Sequence, residues 1–480
     1  MTDRWFHRLK LQRYISKRQN CLLLGDLMLT QHLAEFVLST RSSDLPEALM
    51  EAAAFACLDT VACALIGVPE PCADLAWRWV QEQGGHERAT VWGRGLRTSV
   101  PEAAFANGVA AHAIDFDDAL PTLRGHPSTT LVPVAFAVAE DSQSSGQDVL
   151  AAYLIGLELC GKLGAAIGAG HYLGGWHTTS TIGIMASTAV AARLWNLDPL
   201  TLRTAWGIAA SQSSGLVRNF GSMTKPFHAG HAARCAVQAT WLAKNGYSAD
   251  TTIFDGKGGF FATYSKGDGD ALADLPAKLG QPWEIQQPGV YVKRWPCCYA
   301  NHRPIGGLMS LVAQHGIRAE EIEWIEIGFL PGADAALINT DPQTGLEAKF
   351  SIEYVAAALL LDGDITLASF SDEMVQRPAA RQLMKKVLRC PIAADGIYSG
   401  LVGYADVDIR TSRGKFSVRV DKTPGSPEWP LSIADRNAKF LDCATPTLGP
   451  EGALNLLTHL HGLRGAIQLQ DLSRACMTAH

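Results

Sequence analysis

Between Met28 and about Leu275, apolar residues recur at three- and four-residue spacing, which is the pattern of helices with one buried face. The pattern is clearest in residues 45–65, 149–165 and 181–194. Alanine and glycine are frequent on these faces, so neighbouring helix axes can approach closely. The spacing predicts an all-helical domain over residues 28–278, rather than strands that alternate with helices.

A different pattern begins near residue 279, where short alternating segments replace the helical spacing. We predict strands at residues 283–285, 290–295, 322–330, 405–409 and 416–420, with helices at 351–361 and 378–387 between them. These segments indicate a smaller α+β domain over residues 279–423, which ends in a stretch rich in proline and glycine. Residues 424–480 are again helical and are expected to return to the first domain. The chain is thus predicted to be mostly α, with an α+β part.

The first 27 residues do not share these patterns. Six basic residues between Arg4 and Arg18 precede an apolar patch at residues 21–24, as in some targeting segments. Asp26 interrupts that patch, and no small-residue cleavage site follows it. We therefore interpret residues 1–27 as a disordered extension, or as the product of an upstream start codon.

The charge balance argues against several classes of protein. The 480 residues carry a net charge of −6, which gives no electrostatic reason to expect a nucleic acid or a membrane surface as partner. We expect no apolar stretch long enough to span a bilayer. The 11 cysteines, an odd number in no repeating frame, indicate reduced thiols and a cytoplasmic protein.

Three segments of the helical part share one arrangement, in which a histidine or lysine stands at the beginning of a predicted helix. The residues are His126, His177 and Lys225, and candidate caps beside them are Ser128, Thr178 and Thr224. A helix N-terminus offers unpaired N–H donors and about half a positive charge. If the three starts face one cavity, they form a site for several negative groups, which suits a di- or tricarboxylate. A single histidine near a helix end is more often structural, so the repetition carries this interpretation.

Other polar residues extend these segments. His112, Asp115 and Asp118 are three residues apart and could share one helix face, although the acidic pair could also be a solvated turn. Beyond Lys225, possible cations recur at every third position, at His228, His231 and Arg234.

Three residues of the second domain could close over an anionic substrate. They are Lys293, His302 and Tyr354. Lys293 and His302 flank a segment with cations and an aromatic pair, and Tyr354 lies at a probable helix start that could equally hold an ordinary buried tyrosine.

The spacing of the residues gives less support to other chemistries. The acidic cluster lacks the DDxxD spacing of magnesium-dependent isoprenoid synthases, and His228 with His231 lacks a third zinc ligand. Residues 256–259 lack the spacing and the preceding strand of a phosphate-binding loop, and no dinucleotide fingerprint follows a strand. We expect neither a metal nor an organic cofactor.

Five motifs resemble the MmgE/PrpD family in order and at its spacing. They are residues 112–128, 176–183, 224–234, 293–302 and 348–361. The family includes 2-methylcitrate dehydratases, cis-aconitate decarboxylases and iminodisuccinate epimerases. The resemblance covers nearly the whole chain from Met28 onward. It implies a large all-helical domain, a smaller α/β lid domain, a homodimer, and catalysis without a metal or organic cofactor.

The resemblance to the decarboxylase branch also implicates particular residues in the site. They are Asp115, His126, His177, Lys225, His302 and Tyr354. This chain has Ala119 and Leu120 where dehydratases and decarboxylases typically have threonine and tryptophan, and its loop to His126 is slightly longer than in the decarboxylases. Residues 113–133, 170–183 and 351–354 look nearest to the epimerase branch.

All three activities transfer a proton at a carbon beside a carboxylate or imine, which requires a base of near-neutral pKa and nearby cations. We assign acid and base duties to His126 and His177, and carboxylate binding or proton donation to Lys225. Asp115 is expected to orient a histidine or to bind a substrate hydroxyl or amine. The expected substrate-binding residues are His228, His302, Tyr354 and Lys293. We predict a lyase acting on a small di- or tricarboxylate, with an iminodisuccinate epimerase and a non-catalytic carboxylate-binding protein as alternatives.

Overall fold

The computed structural model describes residues 28–265 and 270–477, so the expectation for residues 1–27 lies outside the described residues. Helices dominate the first part of the chain. They are α1 (Leu29–Ser39), α2 (Glu47–Gly67), α3 (Pro71–Gln83), α4 (Val100–His112), α5 (Ser128–Ser142), α6 (Gly146–Ile167), α7 (Ala169–Leu173), α8 (Thr178–Thr181), α9 (Gly183–Leu194), α10 (Pro199–Ala210), α11 (Thr224–Lys244), α12 (Phe260–Tyr264), α13 (Asp270–Ala273) and α14 (Leu275–Lys278). A short antiparallel hairpin, β1 (Ala89–Val91) and β2 (Leu96–Thr98), lies between α3 and α4.

Small residues let α4 and α11 pack very closely. A Cβ atom added to Gly108 would lie 2.9 Å from the Cα of Gly230, so neither position has room for a larger side chain. This contact places the end of α4 beside the beginning of α11, where the candidate site residues His112 and Lys225 stand. The expected close approach of helix axes is confirmed here.

A mixed four-stranded sheet forms the α+β part. Its strands are β3 (Ile322–Phe329), β4 (Val387–Pro391), β5 (Ala405–Thr411) and β6 (Gly414–Val420), in the order β4-β3-β5-β6. β3 and β4 are parallel, whereas β3 with β5 and β5 with β6 are antiparallel. The helices of this part are α15 (His302–His315), α16 (Gly345–Ala348), α17 (Ile352–Asp362), α18 (Asp372–Gln376) and α19 (Pro378–Met384). Ile325, Ile327 and Val407 belong to a second apolar core, separate from that of the helical bundle.

The chain then returns to the helical bundle through α20 (Ile433–His461) and α21 (Gln470–Ala475). α20 packs against α2 and is interrupted at Gly449, whose φ of 72° is not helical. Phe440 and Leu456 of α20 are buried in the core of the bundle. The predicted class, mostly α with an α+β part, is confirmed, and the domain boundaries stay a prediction.

Some expected elements differ in the structure. Residues 283–285 and 290–295 are not strands: Ile285–Gly289 forms a π-helical turn, and Tyr291 makes an isolated bridge with Ala119. The helix predicted over residues 378–387 ends at Met384, and Val387–Pro391 forms β4, a strand that was not predicted.

Two helices are long and apolar enough to cross a membrane by length and composition, contrary to the expectation from the sequence. They are α2 and α6, and most of each lies buried inside the structure. Core helices of a globular domain have the same length and composition, so this observation alone is weak support for a membrane span.

Candidate active site

The loop between α4 and α5 forms the centre of the candidate site. α4 ends at His112, and Asp115 has a φ of 57°, so His112, Asp115 and Asp118 do not share a helix face as expected. The chain instead turns sharply, and Asp115, Asp117 and Asp118 point to different partners. All three carboxylates are buried.

Asp115 is held between two lysines from distant parts of the chain. Lys225 Nζ donates to Asp115 Oδ1, and Lys293 Nζ lies 3.0 Å from Oδ2. His126 Nε2 is 3.8 Å from Oδ1. Burial alone would raise the pKa of Asp115, but Lys225 and Lys293 outweigh it and hold that pKa well below its usual range. Asp115 is therefore ionised and fixes both ammonium groups beside the cavity.

Asp117 lies between two histidines and contacts the ring nitrogen Nδ1 of each. Its carboxylate oxygens lie 3.0 Å from His112 Nδ1 and 2.9 Å from His126 Nδ1. His126 Nδ1 is also 2.8 Å from the carbonyl oxygen of Asp118. Because two acceptors face His126 Nδ1, that nitrogen carries the hydrogen and Nε2 of neutral His126 is free to accept a proton.

Three buried lysines donate to three consecutive carbonyl groups of this loop. Lys349 Nζ donates to the Ile114 carbonyl oxygen over 2.6 Å, and Lys293 Nζ donates to that of Asp115 over 2.7 Å. The third lysine, Lys439 on α20, donates to that of Phe116 over 3.0 Å. The loop is thus held by the α+β part and by the C-terminal helix together.

His177 lies on the other side of His112. The two imidazole rings stack with centroids 5.9 Å apart, and His177 Nδ1 is 3.1 Å from Nδ1 of His228. Burial lowers the pKa of His177 well below its usual value, and His228 and Lys225 lower it further. Burial, with Lys225 beside it, also lowers the pKa of His228 to about 4. Both rings are therefore neutral near pH 7.

A cavity of about 70 Å³ lies between the helical part and the α+β part. His126, His177 and Lys225 all contribute to its lining, as do Arg124 from the loop and Phe220. Residues of the α+β part close the other side, including Cys298, Tyr299, Phe350, Tyr398 and Ser399. The structure thus brings together the three residues that the sequence placed at helix beginnings.

The candidate helix caps have other roles. Ser128, Thr178 and Thr224 are the first residues of α5, α8 and α11, and none makes a side-chain cap bond. The Ser128 hydroxyl donates to Asp118 over 2.5 Å, and the Thr178 hydroxyl donates to the carbonyl oxygen of Arg124 over 2.9 Å. The Ser128 and Thr178 hydroxyls therefore hold the loop between α4 and α5 in place, because each donates its hydrogen to an oxygen of that loop.

Only part of the predicted cation row of α11 reaches the site. Lys225 and His228 do so, whereas the ring of His231 stacks on Phe227 with centroids 5.3 Å apart. Arg234 lies 3.7 Å from Glu102. An α-helix makes one turn in about 3.6 residues, so residues three apart are offset around the helix axis. A row of such residues therefore moves progressively away from the cavity.

The predicted substrate-binding residues of the α+β part are placed behind the cavity surface. Lys293 is fully buried and forms a salt bridge with Asp115. The ring of His302 stacks on that of Tyr299, with centroids 4.4 Å apart. Tyr354 donates its hydroxyl to the Ser369 carbonyl oxygen within the second apolar core. Its hydroxyl is directed away from the cavity, so direct substrate binding by Tyr354 is not supported by this placement.

Replacing His302 with phenylalanine is expected to make the protein less sensitive to acid. Burial lowers the pKa of His302 to about 3, whereas an unfolded histidine titrates near 6.5. Between these values the unfolded chain binds the extra proton, so stability falls as the pH falls, by up to about 1.4 kcal/mol per pH unit. Urea unfolding between pH 6.5 and pH 5 should show a shallower loss for His302→Phe than for the wild type.

The exposed residue His86 provides the control for that measurement. His86→Phe makes the same replacement at an exposed ring, and its slope of unfolding free energy against pH is measured beside that of His302→Phe. An unchanged slope in His302→Phe would show that this ring is not held neutral by burial.

Two site residues were given no role from the sequence. Asp117 contacts the ring nitrogens of His112 and His126, and Arg124 lines the cavity. Asp117 lies in the same short motif as Asp115, between His112 and His126, so the signal that selected Asp115 could also have selected Asp117. Lys349, beside a probable helix start, was expected to close over an anionic substrate; it instead donates to a backbone carbonyl 235 residues away.

One group of side chains could hold a metal ion by distance alone. His112, Asp115, Asp117 and His126 place ligand atoms within 4.8 Å of one another. Lys225 and Lys293 already lie against Asp115, however, and both would repel a divalent cation there. The donor set therefore does not fit a metal well, and the expectation of a metal-free site stays a prediction.

Comparison with known proteins gives consistent matches along the chain. Residues 31–272 match the MmgE/PrpD N-terminal domain, and residues 295–459 match the MmgE/PrpD C-terminal domain. Cis-aconitate decarboxylase of Mus musculus is 30% identical over 460 residues, which is 92% of each chain. That of Homo sapiens is 29% identical over 93% of each chain, and that of Aspergillus terreus is 26% identical over 75% of this chain and 77% of the relative. The two domain matches together span both the helical part and the α+β part, and the chain belongs to the MmgE/PrpD family.

Proposed function

We propose that the protein is a carboxy-lyase that acts on cis-aconitate or a closely similar tricarboxylate. Its relatives over nine-tenths of the chain are cis-aconitate decarboxylases, which supports a lyase of this type. The single structural observation that carries the proposal is the convergence of His126, His177 and Lys225 on one cavity. A lyase on a polycarboxylate needs this combination of a fixed cation and proton-transferring groups.

The proposed reaction exchanges a carboxylate for a proton. Loss of CO₂ leaves an electron pair that forms a new double bond, while the old double bond moves its pair to the next carbon, which takes a proton. Lys225 stabilises the negative charge that develops at the reacting end of the substrate, and His126 or His177 delivers the proton. The apolar walls at Phe220 and Phe350 favour departure of the charged group as neutral CO₂.

Substrate binding favours protonation, from solvent, of a histidine that is neutral in the free protein. Burial lowers the pKa of His126 against the opposing effect of Asp117, and burial likewise lowers the pKa of His177. An anionic substrate beside these rings favours their charged forms and raises both pKa values. A histidine can then bind a proton together with the substrate and transfer it to carbon.

The comparisons do not favour the iminodisuccinate epimerase alternative, because the relatives named above are decarboxylases. An epimerase would return a proton to the same carbon and release no CO₂. A non-catalytic carboxylate-binding protein would bind the ligand without any exchange with solvent. The three possibilities therefore differ in their products and in isotope uptake.

Incubation with cis-aconitate, 2-methylcitrate and iminodisuccinate in heavy water separates these functions. We expect CO₂ release from cis-aconitate and one solvent deuterium on carbon of the unsaturated dicarboxylate product. Deuterium uptake with inversion in iminodisuccinate, and no CO₂ from cis-aconitate, would reject the carboxy-lyase in favour of the epimerase.

We also propose a homodimer in a reducing compartment such as the cytoplasm. Phe227 and Trp241 of α11 and Met223 directly before it are exposed apolar residues, which a second copy of the chain could cover. The cysteines of the described residues are free thiols, as a reducing compartment requires. Sedimentation of the 51.5 kDa chain at twice its mass would support the dimer.

A further inference from the structure

Arg124 stands in a tight turn that is fastened from both sides. The Leu120 N–H donates to the Gly125 carbonyl oxygen, and the Arg124 N–H donates to that of Leu120, each over 2.9 Å. Helix α8 holds the same turn, since the Thr178 hydroxyl donates to the Arg124 carbonyl oxygen and the His126 N–H donates to Thr179 Oγ1 over 3.0 Å. The turn is therefore fixed in position directly before His126.

The backbone of Arg124 is in the left-handed region, with a φ of 56°. Residues other than glycine are rarely found there, because the Cβ atom crowds the backbone. Such strained positions cluster at functional sites, where surrounding contacts maintain them. At Arg124 the four hydrogen bonds of the turn supply those contacts, and the long side chain is held beside the cavity.

Among the side chains that the structure describes, in residues 28–265 and 272–477, no carboxylate forms a salt bridge with the guanidinium group of Arg124. Arg124 lines the same cavity as Lys225 and is only partly exposed. Lys225 is paired with Asp115, so Arg124 is the cation of this lining whose charge is not balanced by a described carboxylate. A guanidinium presents two parallel N–H groups that match a carboxylate.

The α+β part contributes a further hydrogen-bond donor beside the cavity, a serine hydroxyl. Ser399 lines the cavity, and its hydroxyl is buried without a hydrogen-bond partner among the residues that the structure describes. Buried hydroxyl groups in proteins are nearly always hydrogen bonded, so one that is free beside a cavity indicates a ligand oxygen as its partner. Tyr172, which also lines the cavity, lies near Arg124.

We propose that Arg124 and Ser399 form a carboxylate subsite opposite Lys225 that makes the protein select tricarboxylates over dicarboxylates. This inference rests on the proposed function only in taking a polycarboxylate as the ligand. Lys225 and the histidines hold the reacting end of the substrate, and Arg124 binds a further carboxylate in a bidentate manner. Ser399 donates to the same carboxylate from the opposite wall of the cavity.

Binding of two inert ligands tests the subsite without any turnover. Isothermal titration with tricarballylate, a saturated tricarboxylate, is compared with glutarate, which lacks the central carboxylate. Arg124→Ala is expected to weaken tricarballylate binding by roughly 10- to 100-fold, as for loss of hydrogen bonds to a charged group. Glutarate binding should change by less than about threefold, so the preference for the tricarboxylate is lost.

Two further variants make the result interpretable. Arg124→Lys keeps the charge but loses the two-pronged geometry, and should bind tricarballylate with intermediate affinity. Arg78→Ala removes an exposed arginine of α3 and should bind both ligands as the wild type does. Equal melting temperatures of the variants establish that each is folded.

Unchanged tricarballylate binding in Arg124→Ala would overturn the subsite, and so would an equal loss for both ligands. Failure of the wild type to prefer tricarballylate would overturn it as well. Failure of cis-aconitate turnover would reject the proposed lyase reaction alone, because neither titration depends on catalysis.

Discussion

Lys225→Met is expected to lower turnover of cis-aconitate by roughly 10²–10⁴-fold while the protein remains folded. The ammonium group of Lys225 faces the cavity between the rings of Phe220 and Phe350, at 5.3 and 5.1 Å from their centroids. Without it, negative charge that develops on the substrate loses its nearest fixed cation. Asp115 keeps Lys293 at 3.0 Å, so no buried carboxylate is left unpaired. Steady-state kinetics with CO₂ detection provides the measurement.

Lys244→Met, at the exposed last position of the same helix, is the matched control and should keep wild-type kinetics. Lys225→Arg retains the charge and should recover part of the lost turnover. If Lys225→Met works at more than about a tenth of the wild-type rate, Lys225 is not the group that stabilises the transition state.

Lys439→Met is expected to lower the free energy of unfolding by about 3–5 kcal/mol, because it leaves Asp59 as an unpaired buried charge. Lys439 Nζ lies 2.7 Å from Asp59 Oδ1 and also donates to the carbonyl oxygen of Lys293 over 3.1 Å. It stands 3.9 Å from the centroid of the Phe116 ring. One side chain thus joins α2, α20, the site loop and the start of the α+β part. Urea unfolding followed by circular dichroism measures the loss.

The exposed pair Lys415 and Asp408, 2.8 Å apart, provides the comparison. Lys415→Met should change the unfolding free energy far less than Lys439→Met does, because surface ion pairs contribute little to stability. Adding Asp59→Leu to Lys439→Met should recover much of the loss, since the unpaired carboxylate is then removed. A loss in Lys439→Met no larger than in Lys415→Met would contradict the buried-pair interpretation.

The helical part and its three convergent positions could be predicted because their signals are local. A period of three to four residues marks each helix, and a cationic or titratable side chain near a helix beginning is visible without knowing the fold. His126, His177 and Lys225 were found in this way, and they line one cavity. The strand β3 was equally clear from its alternation.

Partners far apart in sequence could not be predicted in the same way. Lys293 and Lys349 donate to acceptors that lie 178 and 235 residues away in the sequence, and both acceptor atoms are backbone oxygens, which every residue has. The helix face assumed for Asp115 and Asp118 was wrong because the chain leaves α4 at His112 and adopts a positive φ at Asp115. Tyr354 illustrates the opposite error, since its place beside a functional motif did not reveal that its hydroxyl points into the second core.

Three buried lysines donate hydrogen bonds to the carbonyl groups of Ile114, Asp115 and Phe116, and these bonds restrict how the cavity can open. A hinge rotation of the whole α+β part would separate Lys293 and Lys349 from their acceptors. Two buried ammonium groups would then lack a hydrogen-bond partner, which is costly. Substrate entry and product release are therefore not expected to need a rotation of the whole α+β part, and the loop beneath the cavity stays fixed while they occur.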